Sequence, residues 1–498
     1  MKVHFISRCF PVVITVAVLF TLCDGNAIAE MKFKEKEVVL SKLAPKTQIF
    51  GVVGNKPDND TIAYVTKNGD QFGVVIGAKK SESYKSVGKG TPIYSPQKNR
   101  TAYIVLEGKK SFIVLDGKKG PLFDRVSNLL FSNDGERFSY CATSGSKQFI
   151  ILDGKKLKAY DRISGTQSFS RDSKRILFTA VAGNKWYVVD NNIESAPYDA
   201  IKLQVYSSDS QKTAFAAREG DKWFAVYDNK RSKRYDDLIV LIWRPDSSNV
   251  VFVAKKRTKF CIVDGNKEHK FYDSVGKPLV SPDSLRLVYP AKKNDKWMAI
   301  LDKKKQKKFD KIGPYQFSID SSKMVYIGVT DKKAQVIVNK VATEMYDTVG
   351  IPILSPDSRH MAYSARIGDQ WFVVQDGKKG SSYKAVRSIV CSSDSSKYAY
   401  SAFMEDNGRI VVNGKEMMTF QSVARPYLSE DGDMIAYWSR LNNKWALTVN
   451  NLRSKFEYDG FLKRIPVTFD DNRKLHGIAV AGTTELDHFS RIELQILE

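Results

Sequence analysis

Apolar residues along this chain come in short bursts rich in Val, Ile, Tyr and Phe, each closed by turn residues, and the bursts recur at a fixed interval. The stretch 351–386 shows one full unit. Residues 351–354 run into Ser355-Pro356-Asp357-Ser358. There Pro pre-sets φ, and Asp and Ser can bond the backbone two residues on, so the chain reverses. A second strand is predicted over 360–365, a turn at Gly368-Asp369, and a third strand over 371–374. Four consecutive apolar residues in that third strand demand cover on both faces of its sheet. Asp376-Gly377 suits a type I′ hairpin, and a fourth strand is predicted to contain Tyr383-Lys384-Ala385-Val386. No stretch carries the i, i+3, i+4 spacing with caps that a helix requires.

The Asp of the Ser-x-Asp turn anchors the period. Its positions are Asp58, Gln97, Asp134, Asp172, Asp209, Asp246, Asp283, Asp320, Asp357, Asp394, Asp431 and Asp471; eight of the eleven intervals are 37 residues, one is 38, and the outer two are 39 and 40. The hairpin returns as Asp116-Gly117, Asp153-Gly154, Asp264-Gly265 and Asn413-Gly414. A Tyr-Asp-x-Val phrase returns as Tyr160-Asp161, Tyr198-Asp199, Tyr272-Asp273, Phe309-Asp310 and Tyr346-Asp347. Four strands of about five or six residues plus four short connections account for the period. A long array of four-stranded units predicts an all-β chain of β-propeller blades.

The Ser-Pro-Asp-Ser turns, each followed by an Ala-Tyr strand, resemble the WD-repeat-like propeller repeat of bacterial exported proteins of the TolB-like type. The resemblance covers about residues 50 to 480 and implies the fold. It implies no function, because the repeats begin almost at once after the leader and leave no room for a TolB-like N-terminal α/β domain, so that protein's partner contacts cannot be carried over.

Twelve units exceed the usual four to eight blades of one ring, so two six-bladed rings are expected, over 30–267 and 268–498. The last unit ends one strand short, and an unpaired edge must be covered. The segment 36–40 is expected to close the first ring and 269–275 the second. Seven plus five is the rival division. Trp297, Trp371 and Trp445, one strand position every 74 residues, favour an even ring and are read as wedges between blades.

Composition adds location and charge. Lys2 and Arg8, an apolar run from 11 to 23 and Ala27-Ile28-Ala29 read as a secretory leader over 1–29, cut after Ala29, which places the mature chain in the periplasm or outside the cell. A lipid anchor at Cys23 is the rival reading. No later apolar stretch reaches the roughly 20 residues of a membrane span. Cys141, Cys261 and Cys391 are odd in number and scattered, so they read as buried free thiols. His269, His360, His476 and His488 form no ligand-spaced cluster, and neither a metal nor any other cofactor is expected. The net charge is +24, and +23 once a leader holding Lys2, Arg8 and Asp24 is removed. That excess speeds encounter with polyanions and says nothing of fold.

The sequence holds no Gly-x-Ser-x-Gly elbow and no phosphate-cradling Gly-x-x-x-x-Gly-Lys. Anchor aspartates in repeated contexts read as turn residues. Lysines gather after the third strand, at Lys118, Lys119, Lys155, Lys156, Lys230, Lys303, Lys304, Lys305, Lys378 and Lys379. In an up-and-down blade the first and third turns share one end, so these lysines are expected beside the Ser-x-Asp turns as a basic rim. The plainer role is protection of exposed strand edges. The functional expectation is a non-enzymatic exported scaffold that binds protein or an acidic envelope polymer at its loop faces. The alternative is a polysaccharide lyase or hydrolase with carboxylates or His at a channel mouth. Nucleic acid ranks third, because the export signal argues against it.

Overall fold

A computed structural model describes residues 13–15, 32–42, 48–54, 61–77, 79–463, 465–471, 473–482 and 488–497. Most of the expected leader, including the cleavage signal and Cys23, and the anchor Asp58 lie outside the described residues. The described chain is all-β, in twelve antiparallel sheets built on four strands each: the expected blades of a β-propeller. Two compact units group them, one of residues 1–82 with 369–498 and one of 83–368.

Within each sheet the strand boundaries differ from the sequence expectation in one instructive way. The Tyr-Asp-x-Val phrase, expected in the fourth strand, is a junction. Tyr160 closes its own sheet by an isolated bridge to Gln148, while the next residues open the first strand of the following sheet, Arg162–Phe169. The fourth strand proper is a two-residue piece such as Lys155–Lys156. The first strand is long and irregular. A bulge falls between Ser127 and Leu130, between Ser164 and Ser168, and between Arg387 and Val390. A bulge adds an unpaired residue and increases twist. Where Pro278, Pro352 or Pro426 follows, the strand splits in two, as Ser274–Val275 and Leu279–Val280 do, because proline has no N–H to give the ladder.

The cores lie between successive sheets. Ala214, Ala216 and Tyr227 of one sheet pack against Leu238, Phe252 and Val263 of the next. Second strands such as Val250–Lys256 bury consecutive residues, as the unbroken apolar runs predicted. Nothing in the packing marks residue 267: Val251 and Ile262 before it share one cluster with Tyr289 and Ile300 after it.

Closure also differs. Lys32–Lys42 pairs along its length with His488–Leu497, so the chain's start supplies the outer strand of its last sheet. Residues 36–40 therefore do not close a ring near 267. Nor does 269–275 borrow: Tyr272 bridges Phe260, and Val275 pairs with Ala291 of its own sheet. Val13–Thr15 adds to the same last sheet by pairing with residues 34–36. The physical reason is side-chain fit at the fourth-strand position. Elsewhere Tyr160, Tyr235 and Tyr383 donate to Glu194, Glu268 and Glu416 of the next sheet's fourth strand. At the end of the chain Tyr458 donates to Glu37 at 2.5 Å. Ile62 and Tyr64 then pack on Ile478 and Phe489, joining the first sheet to the last within one unit.

Candidate functional site

The repeated Ser-x-Asp turn is built from its own polar atoms. Ser170 Oγ donates to Asp172 Oδ1 at 2.5 Å and accepts the Arg175 N–H at 2.9 Å; Asp172 Oδ1 also accepts the Lys174 N–H at 3.1 Å. The next residue, Ser173, sits at φ +63° and turns its hydroxyl to the preceding sheet, where it accepts the Asp134 N–H at 3.1 Å. The same latch joins Asp172 to Ser210, Asp209 to Ser247, Asp246 to Ser284, Asp283 to Ser321 and Asp320 to Ser358. The basic residue of the turn adds a third link. Arg175 pairs with Asp190 of its own hairpin and donates to the carbonyl oxygens of Ser210 and Gln211 in the next sheet.

These contacts decide what the anchor aspartates can do. Serine hydroxyls hold the carboxyls of Asp134, Asp172, Asp209, Asp283, Asp357 and Asp431 below the usual range, and that of Asp394 at about 2. A general acid at neutral pH needs the opposite shift. The anchors serve the turns.

The hairpin that follows the third strand lies at the same end as the Ser-x-Asp turn, because Arg137 of one reaches Asp153 of the other at 2.9 Å. The type I′ geometry is present at Asp116-Gly117, Asp153-Gly154, Asp376-Gly377 and Asn413-Gly414, where both central residues have positive φ. At Asp264-Gly265 only the glycine does, and Asp264 stays in its strand.

All ten predicted lysines sit at that end and are exposed, on or beside the short fourth strands. They divide by what they touch. Lys119, Lys156 and Lys379 lie over Phe112, Phe149 and Phe372 of the third strand, at 4.2, 4.0 and 5.7 Å from the ring centres. Lys119 also reaches Glu107 at 3.7 Å, and Lys230 reaches Asp228 at 3.7 Å. Among the described residues Lys118, Lys155, Lys303, Lys304, Lys305 and Lys378 form no ion pair. In the doublets at 118–119, 155–156 and 378–379 the second lysine therefore covers an apolar edge, while the first projects uncompensated charge.

The remaining candidates resolve into structural roles. Cys141 and Cys261 are buried free thiols, and burial pushes Cys261 up to about 12; Cys391 is half-buried. His269 is buried against Tyr289, and His476 against Asp470. Among the described residues no group of three His, Cys, Asp or Glu side chains could hold a metal ion, and no helix is long and apolar enough to cross a membrane. Trp297, Trp371 and Trp445 are half-buried, beginning their third strands. Trp186 and Trp223 share their register against Tyr198 and Tyr235, so the alternation by 74 residues does not extend along the chain.

A second feature escaped sequence reasoning. A cavity of about 570 Å³ opens over three successive sheets and is lined by Arg387, Arg425 and Lys463 with Phe403, Tyr427, Trp445 and Phe461. Arg387 lies over the Phe403 ring at 5.2 Å and Arg425 over the Tyr427 ring at 5.7 Å. Trp445 meets Phe461 edge-on at 4.9 Å, and Trp438 stacks behind Phe461 at 5.3 Å. Ser401 Oγ donates to the Ala424 carbonyl at 2.8 Å and ties two of the sheets together. The signal that could have found this site is a break in the repeat. Most copies put Asp after the Tyr or Phe, but the two first strands that carry the arginines follow Lys384 and Gln421.

No family model matches the chain, and no curated protein matches it. The likeness to TolB-like repeats thus remains a resemblance. Among solved structures, the chain is similar to the β-propeller domain of the Trilobed protease from Pyrococcus furiosus, described as having an open velcro topology. Identity is 13%, with 53% of this chain and 98% of that one covered and a TM-score of 0.27. It is also similar to the Dos1 propeller, at 11% identity, 66% and 94% coverage and a TM-score of 0.28. Scores this low carry no weight beside the chain's own sheets, which define the propeller directly.

Proposed function

We propose that this chain is an exported, non-enzymatic β-propeller scaffold that holds an acidic polymer or an acidic protein at the end of its sheets where the Ser-x-Asp turns lie. One observation carries the reading. At that end the aspartates are consumed by turn hydrogen bonds and arginine pairs, while Lys118, Lys155, Lys303, Lys304 and Lys305 of one unit stand exposed without ion partners. Summed over a surface, such charge attracts polyanions, although each lone lysine contributes little. The leader, cut after Ala29, would deliver the chain to the periplasm or the exterior. The anchor carboxyls, held low, are poorly suited to serve as the general acid that a polysaccharide-cleaving reading needs.

The test is retention on an immobilised anionic polysaccharide across a salt gradient. Replacing those five lysines by Gln should move elution to markedly lower salt, with far-ultraviolet dichroism unchanged. Elution at the same salt as the parent chain would remove the rim.

A further inference from the structure

The cavity over the three successive sheets differs from the rim in kind: it is concave, it is apolar on one wall, and it bears its cations on inner rather than outer strands. Arg387 stands at the bulge of Ala385–Cys391, next to Ser388 at φ +54°. Arg425 lies in the gap between Ser422–Val423 and Tyr427–Leu428, where Pro426 interrupts the strand. Lys463 follows Gly460–Phe461. Most other copies put small or apolar residues at the Arg387 position, among them Ser127, Ser164, Gly276, Gly313 and Gly350; the one other cation there, Lys202, is paired with Asp237 at 2.5 Å.

Charge in this cavity is uncompensated by construction. Its lining contains no Asp or Glu, and among the described residues none of the three cations forms an ion pair. In most other copies a Tyr-Asp carboxylate opens the first strand and is spent on a turn N–H and a lysine; Asp199 accepts the Gly220 N–H at 2.8 Å and Lys185 Nζ at 2.7 Å. Here Lys384 and Gln421 replace that acid in two of the three sheets, and Asp459 in the third is taken up by Lys444 Nζ at 2.6 Å and the Gly482 N–H at 2.8 Å. Three like charges brought together without counter-ions repel one another, and an anion relieves the repulsion. Beside the cations stand half-buried Tyr427, under Arg425, and half-buried Trp445, fixed by its edge-on contact with Phe461.

We infer that the cavity binds a carboxylate-bearing sugar residue, such as the hexuronate of an acidic polysaccharide. The carboxylate would meet Arg387 and Arg425, whose planar guanidinium groups match its two oxygens, with Lys463 as a further point charge. The C–H face of the pyranose would lie on the aromatic wall. The volume, about 570 Å³, suits a mono- or disaccharide. This site deepens the proposed scaffold role by naming a ligand, but it stands apart from the lysine rim and is tested apart from it.

The experiment uses the full mature chain and titrates digalacturonate against tryptophan fluorescence and by calorimetry, with neutral lactose and inorganic phosphate as parallel probes. Digalacturonate should bind and change the Trp445 emission. Arg387→Gln or Arg425→Gln should weaken it tenfold or more, and Trp445→Phe should abolish the optical signal while calorimetry still detects weakened binding. The five-lysine rim variant should bind digalacturonate as the parent does. No binding of digalacturonate, equal binding of lactose, or a phosphate affinity that matches digalacturonate would each overturn the assignment. Loss in the rim variant alone would overturn the claim of a separate site. Both arginines are exposed at the surface, so their replacement leaves the cores intact.

Discussion

The joining of the chain's two ends turns on Glu37. Its Oε1 accepts from Tyr458 Oη at 2.5 Å and from Ser490 Oγ at 2.7 Å, and Tyr458 and Ser490 are buried. Glu37→Ala removes the shared acceptor; the two hydroxyls keep only each other, and since only one of them can donate within that pair, one buried donor is stranded. A lost hydrogen bond to a charged group costs about 1.5–3 kcal/mol, and a stranded buried donor adds its own desolvation. The expected loss is therefore about 2–4 kcal/mol. Tyr458→Phe removes one bond but leaves Ser490 on the carboxylate, so about 1.5–2 kcal/mol is expected. Tyr235→Phe, which breaks the matching 2.9 Å bond to Glu268, calibrates the series at an interior junction. Native-state hydrogen exchange of the 488–497 amides reads the local opening free energy directly, and urea midpoints read the global consequence. If these amides exchange as freely as a frayed terminus in the parent chain, or if Glu37→Ala shifts their protection by under about 0.5 kcal/mol while Tyr235→Phe costs its full amount, the reasoning fails.

Four further outcomes are expected. Ser284→Ala removes the acceptor of the Asp246 N–H, 2.9 Å away, and should cost about 1–3 kcal/mol in urea midpoint; Ser284→Gly should cost less, because it relieves the +63° φ. Lys340→Gly, at φ +83° in its hairpin, should stabilise the chain by about 0.5–1 kcal/mol, measured as a rise in urea midpoint. The anchor aspartates have folded values below their unfolded ones, so their stabilisation is whole above about pH 4 and fades as pH falls toward about 2, where Asp394 titrates. Denaturation midpoints should decline across that window, and Ser392→Ala, which frees Asp394, should flatten the decline. Glu35, raised by burial beside Ser454, has the opposite sign: it favours folding at low pH and loses that contribution as pH rises through its folded value. Glu35→Gln should therefore raise midpoints at neutral pH more than at pH 4.

The period, the four-stranded unit and the turn chemistry were legible because each rests on residues close in sequence. Ser170, Asp172 and Arg175 close their turn over six positions, so local pattern suffices. The strand boundaries blurred at Tyr160 because one short phrase serves two sheets, and periodicity counts residues without saying which sheet a residue joins. The split within the lysine rim was not legible for a related reason. Lys119 and Lys118 are neighbours of one type, but alternation along a strand sends the first over Phe112 and leaves the second in water. Arg387, Arg425 and Lys463 went unnoticed because each is an unremarkable surface cation in its own repeat, and only convergence across three sheets makes them a site.

Sequence alone therefore determined that the chain is a dozen small antiparallel sheets with apolar faces on both sides, since alternation, hairpins and a 37-residue spacing admit no helical solution. Tertiary structure decided where the circuit is completed and where charge gathers. Strand partners for residues 32–42 are chosen by fit to a surface some 450 positions away, and a cluster of cations becomes a pocket only when backbones bring it together. Both depend on distances in space, which a linear string does not record.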